Sequence, residues 1–170
     1  KNEVISMQTG TIAVEPDQAG NHQCGTNPQN QNKQDTQTLL ELAKARGWGT
    51  GVVTTTRITH ATPASTYAHI CHRDAENDIA SQLVPSSQGD TYQRYNVKLK
   101  DGVDVILGGG KRQFLPKDQG GERIDQRNLI AEMQQAGYRV VYDQTQLSQM
   151  KLGKNEKLLG LFNTSHLNYD

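Results

Sequence analysis

From residue 39 onward, short β-branched or apolar runs alternate with segments whose apolar residues recur at helical spacing. Four runs have the length and composition of buried strands, namely 50–56, 103–107, 138–142 and 158–162. Around them the spacing predicts a first helix that starts after Asp35 or Thr36 and ends at Gly47, and further helices over 62–71, 74–83, 125–137 and 145–150. Because helices and strands take turns, the pattern predicts an α/β fold, a layered α/β/α sandwich with a largely parallel sheet.

Polar residues and glycines mark the ends of two of these helices. Asp35 or Thr36 is expected to cap the first helix, because a side-chain oxygen there can accept from a free backbone N–H, and Gly47 is expected to end it. Asp125 is expected to cap the helix that Gly137 closes.

Two further expectations concern how these helices are built. The first helix is expected to place Leu39, Leu40 and Ala43 on one buried face. The second is expected to begin at Thr62, with Pro63 at the first helical position, where its missing N–H costs nothing.

Residues 16–38 form a polar segment of Asn, Gln, Gly, Asp and Thr with almost no aliphatic side chains. Such a segment cannot bury enough surface to offset its ordering entropy, so we interpret 16–38 as an Asn/Gln-rich loop. The chain of 170 residues is long enough for one core. Because it starts at Lys1 rather than Met, we expect 1–170 to be a single partial α/β domain, a fragment of a larger one.

Composition makes the chain polar for a globular domain, with 34% hydrophobic residues and a mean hydropathy of −0.75. Eighteen Lys and Arg balance eighteen Asp and Glu, so no strong net field is present to attract nucleic acid or an anionic membrane surface. No stretch approaches the roughly 18 consecutive apolar residues of a membrane span. We therefore expect neither nucleic acid as a partner nor a membrane span in this segment.

The two cysteines, Cys24 and Cys71, allow one disulfide at most. Their spacing fits neither a zinc ribbon nor a redox pair. A bridge requires the fold to bring their α-carbons within about 7 Å, and otherwise the two are unpaired thiols. Both possibilities stay open.

In parallel sheets, ligands bind beyond the carboxyl ends of the strands, which directs attention to the segments after Val53 and Leu107. The first is the richer, because hydroxyls and arginines surround three histidines, His60, His69 and His72. Three histidines could indicate zinc, but a histidine pair on a short helix is more often a surface or a satisfied core group. A zinc site made of these residues alone is therefore disfavoured.

The turn from His60 to Thr62 suits a hard cation that keeps several waters, such as Mg²⁺. The alternative, favoured by the chemistry alone, is that Thr62 only caps a helix. Arg73 could bind a phosphate or carboxylate through two N–H groups, although an arginine near a helix C-terminus is ordinarily solvated. The glycines 108–110 lack the Lys-Ser/Thr ending of a phosphate-binding loop and are interpreted as a turn.

A resemblance to a known family favours functional roles for these residues over the structural alternatives. Residues 51–69, GVVTTTRITHATPASTYAH, are similar to a stretch carried by members of the alkaline phosphatase family. Further similarities follow in the same order at 78–83, 104–112, 120–125 and 159–162, and 1–6 resembles the stretch just after the family's nucleophile helix. The resemblance covers nearly the whole chain outside the polar loop. It implies the family's layered fold and the hydrolysis of phosphate monoesters through a serine nucleophile.

By this resemblance three residues have roles. Thr62 matches the hydroxyl ligand of the family's Mg²⁺, and His60 matches a position that acts through magnesium-bound water. Arg73 matches the arginine that holds the substrate phosphate, both as a binding and as a catalytic group. The chemistry agrees, because a planar guanidinium binds two phosphoryl oxygens and stabilises the charge that gathers on them in the transition state.

The resemblance also implies parts that lie outside this chain. The family's serine nucleophile belongs to an Asp-Ser-Ala segment, which does not occur here, and its two Zn²⁺ are held by later clusters of Asp, Glu and His. We therefore expect the zinc ligands outside these residues and the isolated chain to be inactive. Family membership further implies a periplasmic or extracellular location and usually a homodimer. Calcium is not expected, because only 113–118 fill the space of the mammalian calcium-binding insertion.

Two other functions stay open at this point. The chain could be a stand-alone, non-catalytic binding module. It could also belong to a related phosphodiesterase or sulfatase on the same scaffold, although those enzymes lack the run that contains Thr62, Pro63 and Ala64.

Overall fold

The computed structural model describes residues 37–70, 73–85, 96–153 and 155–168. The predicted loop 16–38 lies outside the described residues except for its last two positions, and so does the stretch 1–6. Cys24, Cys71 and His72 also lie outside them, so the disulfide stays an open prediction.

Within the described residues, helices and strands alternate as predicted. The four strands are β1 (Gly51–Arg57), β2 (Val105–Gly109), β3 (Tyr138–Val141) and β4 (Lys157–Leu161). The helices are α1 (Leu39–Ala45), α2 (Ala61–Ala64), α3 (Glu76–Ser81), α4 (Leu129–Gln135) and α5 (Gln144–Gln149). Three single 3₁₀ turns, Val97–Leu99, Lys111–Gln113 and Lys117–Gln119, lie in the connections.

The four strands form one sheet in the order β1-β2-β4-β3, and every neighbouring pair is parallel. Val52 lies opposite Ile106, which lies opposite Leu159, and Val140 meets Leu159 from the other side. Parallel strands need crossover connections, and helices α2 to α5 lie in the connections between the strands, whereas α1 precedes β1. The predicted α/β class with a parallel sheet is confirmed.

The sheet and its helices enclose one apolar core. Its fully buried side chains come from both strands and connections and include Ile58, Tyr67, Ile79, Leu83, Leu99, Ile106, Phe114, Leu129, Met133 and Leu159. Burying each large apolar side chain contributes about 1.5–3 kcal/mol, so this cluster supplies the main stabilisation of the sheet.

Helix α1 begins with a different cap from the expected one. Thr38 occupies the cap position, and its hydroxyl accepts from the backbone N–H of Glu41 at 3.1 Å. The Glu41 carboxylate in turn accepts from the Thr38 backbone N–H at 2.9 Å. This reciprocal pair satisfies two donors that the helix start leaves free, so it fixes the start three residues later than Asp35. Gly47 follows the helix with a φ of +72°, as expected for its end.

The buried face of α1 also differs from the expected one. Leu40 is buried, but Leu39 is 82% exposed, and the face turned inward carries Glu41 and Lys44. Both charged side chains are paired: Glu41 with His69, and Lys44 with Asp101, whose carboxylate oxygen lies 2.8 Å from Lys44 Nζ. Paired charges can replace apolar residues on a buried face, and hydrophobic spacing alone cannot show this.

Helix α2 is a single turn that begins at Ala61, with His60 as its cap residue. Pro63 therefore stands at the third helical position rather than the first, and Thr62 does not cap the helix. The first four N–H groups of a helix have no intrahelical acceptor, so the proline costs nothing at the third position either. The following turn buries Tyr67 and Ala68.

Two further expectations shift by a few residues. Helix α4 is capped by Asn128, whose side chain accepts from Ala131 N at 3.0 Å, while Asp125 pairs with Arg123 instead. Gly137 ends α4 at a φ of +91°, as expected. Strand β2 starts two residues later than predicted and continues through the first two glycines of 108–110.

Candidate functional site

The carboxyl ends of β1, β2 and β4 meet at one edge of the sheet, where the loop 162–168 crosses the end of β2. The backbone N–H of Gly110 donates to Ser165 O at 2.9 Å, and Leu167 N donates to Thr55 O at 2.9 Å. A side chain on Gly109 would overlap the Ser165 carbonyl, so the loop lies directly on the glycine backbone. Gly110 turns the chain at a φ of +91°, which supports the interpretation as a turn.

Arg57, the last residue of β1, is held by a carboxylate from α3. Its Nε donates to Glu76 Oε2 at 2.8 Å and its Nη2 donates to Glu76 Oε1 at 2.7 Å. Thr59 Oγ1 donates to the same carboxylate at 2.5 Å. Glu76 is 9% exposed, and burial raises the pKa of its carboxyl, but the bonds from Arg57 and Thr59 lower that pKa below its ordinary value. Glu76 is therefore an anion that ties β1 to α3.

His166, in the loop after β4, lies against the other side of Arg57. Arg57 Nη1 is 2.6 Å from His166 Nε2, and the Arg57 backbone N–H points at Nδ1 from 3.3 Å. Both ring nitrogens thus face donors, and this disfavours the protonated ring, in which both nitrogens would carry a proton; a neutral imidazole accepts at only one of the two. Burial lowers the pKa of His166, and the nearby Arg57 and His60 lower it further.

His60 and Arg73, two of the residues singled out from the sequence, meet at this edge. Arg73 Nη2 lies 3.4 Å from His60 Nε2, although the two residues are 13 positions apart. The His60 ring also meets the His166 ring edge to face, with centroids 5.5 Å apart. His60 Nδ1 is buried and has no hydrogen-bond partner among the described residues.

Thr62, the third residue singled out, is exposed at the second position of α2, two residues after His60. Its carbonyl accepts from Ser65 Oγ at 2.8 Å, a bond that closes the turn. The structure therefore puts Thr62 and His60 on the same short turn at the carboxyl end of β1.

His69 lies away from this edge. Its Nε2 bonds the buried carboxylate of Glu41, while the Gln82 side chain accepts from its backbone N–H at 2.8 Å and donates to its carbonyl at 2.9 Å. Asn96 Nδ2 donates to Glu41 at 2.6 Å. Burial raises the pKa of Glu41, and these bonds from Asn96 and His69 lower it below its ordinary value. His69 thus has a structural role, holding α1 to the turn after α2.

No group of three or more His, Cys, Asp and Glu side chains in the described ranges could hold a metal ion. His60 and His69 are directed to different partners, which argues against the three-histidine zinc site. His72, its third member, lies outside the described residues.

His60 and Thr62 carry groups that Mg²⁺ can use. A hydroxyl at an exposed helix start is a hard ligand of the kind Mg²⁺ takes, and the unpartnered His60 Nδ1 is a buried acceptor or donor that a water could satisfy. Each group is of a kind that a magnesium site uses, the hydroxyl as a direct ligand and the ring nitrogen through a water, and the remaining ligands would be waters and other oxygens.

Sequence reasoning assigned no role to Glu76, His166 or Arg123. Arg123 is fully buried and donates to Asn77 O at 2.7 Å, to Gln113 O at 3.1 Å and to Ser81 Oγ at 3.0 Å. It also pairs with Asp125, so it fixes α3 beneath the site. An arginine in the turn-rich run 120–125 gives no local signal of burial.

The chain was compared with protein families and with known proteins. A family model described as alkaline phosphatase matches residues 4–170. A membrane-bound alkaline phosphatase of Bombyx mori is 36% identical over 160 residues, which cover 78% of this chain and 27% of that protein. Alkaline phosphatase 3 of Bacillus subtilis (strain 168) is 41% identical over 128 residues, covering 75% of this chain and 23% of its own length.

Solved structures give the same result. The crystal structure of Thermus thermophilus alkaline phosphatase matches with a TM-score of 0.63 and 32% identity, covering 94% of this chain and 26% of that one. A variant of the alkaline phosphatase from TAB5, solved with magnesium bound, shares the fold with a TM-score of 0.54 and 24% identity, over 79% of this chain and 32% of that one.

The chain spans about a quarter of the length of the curated relatives it matches. No helix in the described ranges is long and apolar enough to cross a membrane. The family model covers nearly every residue, from 4 to 170, and the sheet matches solved members of the same family. The chain therefore belongs to the alkaline phosphatase family.

Proposed function

We propose that the protein containing this chain hydrolyses phosphate monoesters, with this segment supplying the phosphate-binding arginine and one side of a magnesium site. The observation that carries the proposal is the meeting of Arg73 and His60 at 3.4 Å, at the carboxyl end of β1, in a chain of the alkaline phosphatase family. The serine nucleophile and the ligands of two Zn²⁺ would come from segments outside these residues.

Arg73 would bind two phosphoryl oxygens of the substrate. Its guanidinium is planar and permanently charged, so it matches a phosphoryl group and stabilises the negative charge that builds up in the transition state. The neighbouring Arg57 is unsuited to this role, because its Nε and Nη2 are bonded to Glu76 and its Nη1 to His166.

Thr62 and His60 would hold Mg²⁺, Thr62 through its hydroxyl oxygen and His60 through an intervening water. Mg²⁺ bound there would supply electrostatic stabilisation and help to activate an oxygen nucleophile. His60 is held for this task by the cap position of α2 and by its contact with the His166 ring.

The substrate class is tested with the longest natural protein that contains this sequence. We expect release of p-nitrophenol from p-nitrophenyl phosphate in the presence of Zn²⁺ and Mg²⁺, and much slower turnover of bis(p-nitrophenyl) phosphate and p-nitrophenyl sulfate. Faster turnover of the diester or the sulfate would identify a phosphodiesterase or a sulfatase instead.

The isolated 170-residue chain is the matched control for that assay. It is expected to be inactive, because it would lack the nucleophile and the zinc ligands. Turnover by the isolated chain at the rate of the longer protein would overturn the proposal. If the longer protein has no activity on any of these esters, the non-catalytic binding module is favoured.

Location and assembly are part of the proposal. We propose a periplasmic or extracellular protein that forms a homodimer, on the ground of family membership alone. Fractionation of the source cells and light scattering of the purified protein would test these two points.

A further inference from the structure

Glu76 is a buried carboxylate that joins the two parts of the chain carrying the site. On one side it accepts from Arg57, the last residue of β1, and from Thr59, which directly precedes His60. On the other side it opens α3, three residues after Arg73. The proposed magnesium side and the proposed phosphate side are therefore connected through one side chain.

The contacts around Glu76 restrict His60 from two directions. Thr59, bonded to Glu76 at 2.5 Å, is covalently linked to His60, and the His60 backbone N–H donates to Arg57 O at 3.0 Å. Arg57, bonded to the same carboxylate, also contacts His166, whose ring lies against the His60 ring. A change at Glu76 would thus reach His60 through its backbone and through its ring.

A carboxylate is required at this position. Glu76 accepts four hydrogen bonds. Two come from Arg57 Nε, one from Arg57 Nη2 and one from Thr59 Oγ1. A glutamine of the same shape has one oxygen and a donating amide. Its N–H groups would face a guanidinium, which has no acceptor for them. It would also leave the Arg57 charge buried without its counter-ion, which is costly.

We propose that Glu76 is a positioning residue that sets His60 and Arg73 relative to each other, so that phosphate binding and magnesium binding depend on it together. The inference rests on the proposed function and deepens it. Glu76 touches neither substrate nor metal in this scheme, and it acts through Arg57, Thr59 and the start of α3.

The test compares Glu76→Gln with the wild type in the longest natural protein that contains this sequence. Calorimetry measures the affinity for inorganic phosphate and, after removal of bound metal, the affinity for Mg²⁺ alone. Both affinities are expected to fall about tenfold or more, the range found when groups that orient ligands are lost. Excess Mg²⁺ is expected to restore kcat only in part while KM stays raised, because it refills the ion site but leaves Arg73 displaced from the phosphoryl group.

Glu132→Gln is the matched control. Glu132 lies on α4 and forms a similar two-bond pair with Arg127, which precedes the helix. It is expected to change both affinities by less than roughly twofold, as for a surface substitution. If Glu76→Gln lowers the unfolding temperature but leaves both affinities unchanged, Glu76 only supports the fold and the inference is overturned.

Arg57→Lys keeps the test decisive if Glu76→Gln does not fold. It retains the charge beside Glu76 but removes the paired bonds, so both affinities should again fall together, and unchanged affinities would overturn the inference. A wild type that binds neither ion overturns the proposed function along with it. A wild type that binds both, with unaltered variants, overturns the role of Glu76 alone.

Discussion

At the scale of single residues, three arginines near the carboxyl end of β1 differ in what they contact. Arg57 is bonded through its guanidinium to Glu76 and His166, and Arg123 is fully buried against backbone carbonyls. Arg73 is partly exposed and lies beside His60. The three arginines therefore differ in role despite their equal charge, because the guanidinium groups of Arg57 and Arg123 are bonded to other parts of the chain.

Replacement of Arg73 tests this division. In the longest natural protein that contains this sequence, Arg73→Ala is expected to lower kcat/KM for p-nitrophenyl phosphate about a hundredfold to a thousandfold, the cost of losing one charge-stabilising donor. Arg139→Ala is the control, because the Arg139 side chain is 50% exposed on β3 and is remote from the proposed site in the chain. A wild-type kcat/KM in Arg73→Ala would remove Arg73 from the mechanism.

At the scale of elements, ion pairs hold α1 to the amino-terminal end of the sheet, opposite the site. The buried Lys44 of α1 lies 2.8 Å from Asp101, and Lys157 of β4 lies 2.9 Å from the other oxygen of the same carboxylate. Asp104, just before β2, accepts from Thr50 N at 2.7 Å. Helix α1 is thus joined to two strands through charges rather than through apolar contacts alone.

This arrangement predicts how stability depends on pH. Burial raises the pKa of Asp101, but bonds from Lys44 and Lys157 outweigh it and lower the pKa from 3.8 to about 2. The stabilisation is therefore present above pH 3.8 and is lost as the pH falls toward about 2. Since the Asp101 side chain is 64% exposed, solvent screens the pairs and we expect less than about 1 kcal/mol.

Urea unfolding of the wild type and Asp101→Asn between pH 7 and pH 2 measures this effect. The difference in unfolding free energy should shrink as the pH falls below 3.8. Asp118→Asn, at an exposed 3₁₀ turn, is the control and should show no such trend. A difference that stays constant down to pH 2 would contradict the assigned ion pairs.

The elements also show what the sequence could predict and what it could not. The alternation of helix and strand follows from local spacing, so the α/β class and all four strands were predictable. The start of α1 was not, because Thr38 and Glu41 cap it reciprocally and three candidate caps stand close together in the sequence. The exposure of Leu39 was not predictable either. The buried face of α1 carries Lys44, which is paired with Asp101, and hydrophobic spacing does not place a lysine on a buried face.

The site was predictable only where its residues lie close together along the chain. His60 and Thr62 fall within the stretch 51–69 that resembles a family, and Arg73 follows it by four residues. Glu76, by contrast, meets Arg57 across 19 positions and His166 meets it across 109. Pairings over such distances depend on the order β1-β2-β4-β3, which brings the loop after β4 over the end of β2. No local pattern encodes that order.

At the scale of the whole molecule, the sheet of the described residues has two edge strands, β1 and β3, and apolar side chains are exposed on and near β1. Strand β1 pairs with β2 alone among the described strands. Val53 is 72% exposed on it, and Leu39 and Trp48 nearby in the chain are 82% and 65% exposed. An exposed strand edge with apolar side chains is a template for association between copies.

We therefore expect the isolated chain to self-associate as its concentration rises. Val53→Lys should shift the onset of association to higher concentration, because a lysine on an edge strand opposes pairing. Sedimentation velocity over a concentration series measures this. Ile124→Lys, which replaces a side chain that is 75% exposed in a turn, is the control and should leave the onset unchanged.

The close approach of Ser165 to Gly109 makes the position of His166 depend on the residue at the end of β2. Any side chain at position 109 would push the loop 162–168 outward, and the imidazole that rests on Arg57 would move with it. A library randomised at position 109 and selected for turnover should therefore return glycine alone, even though this residue offers no functional group to a substrate.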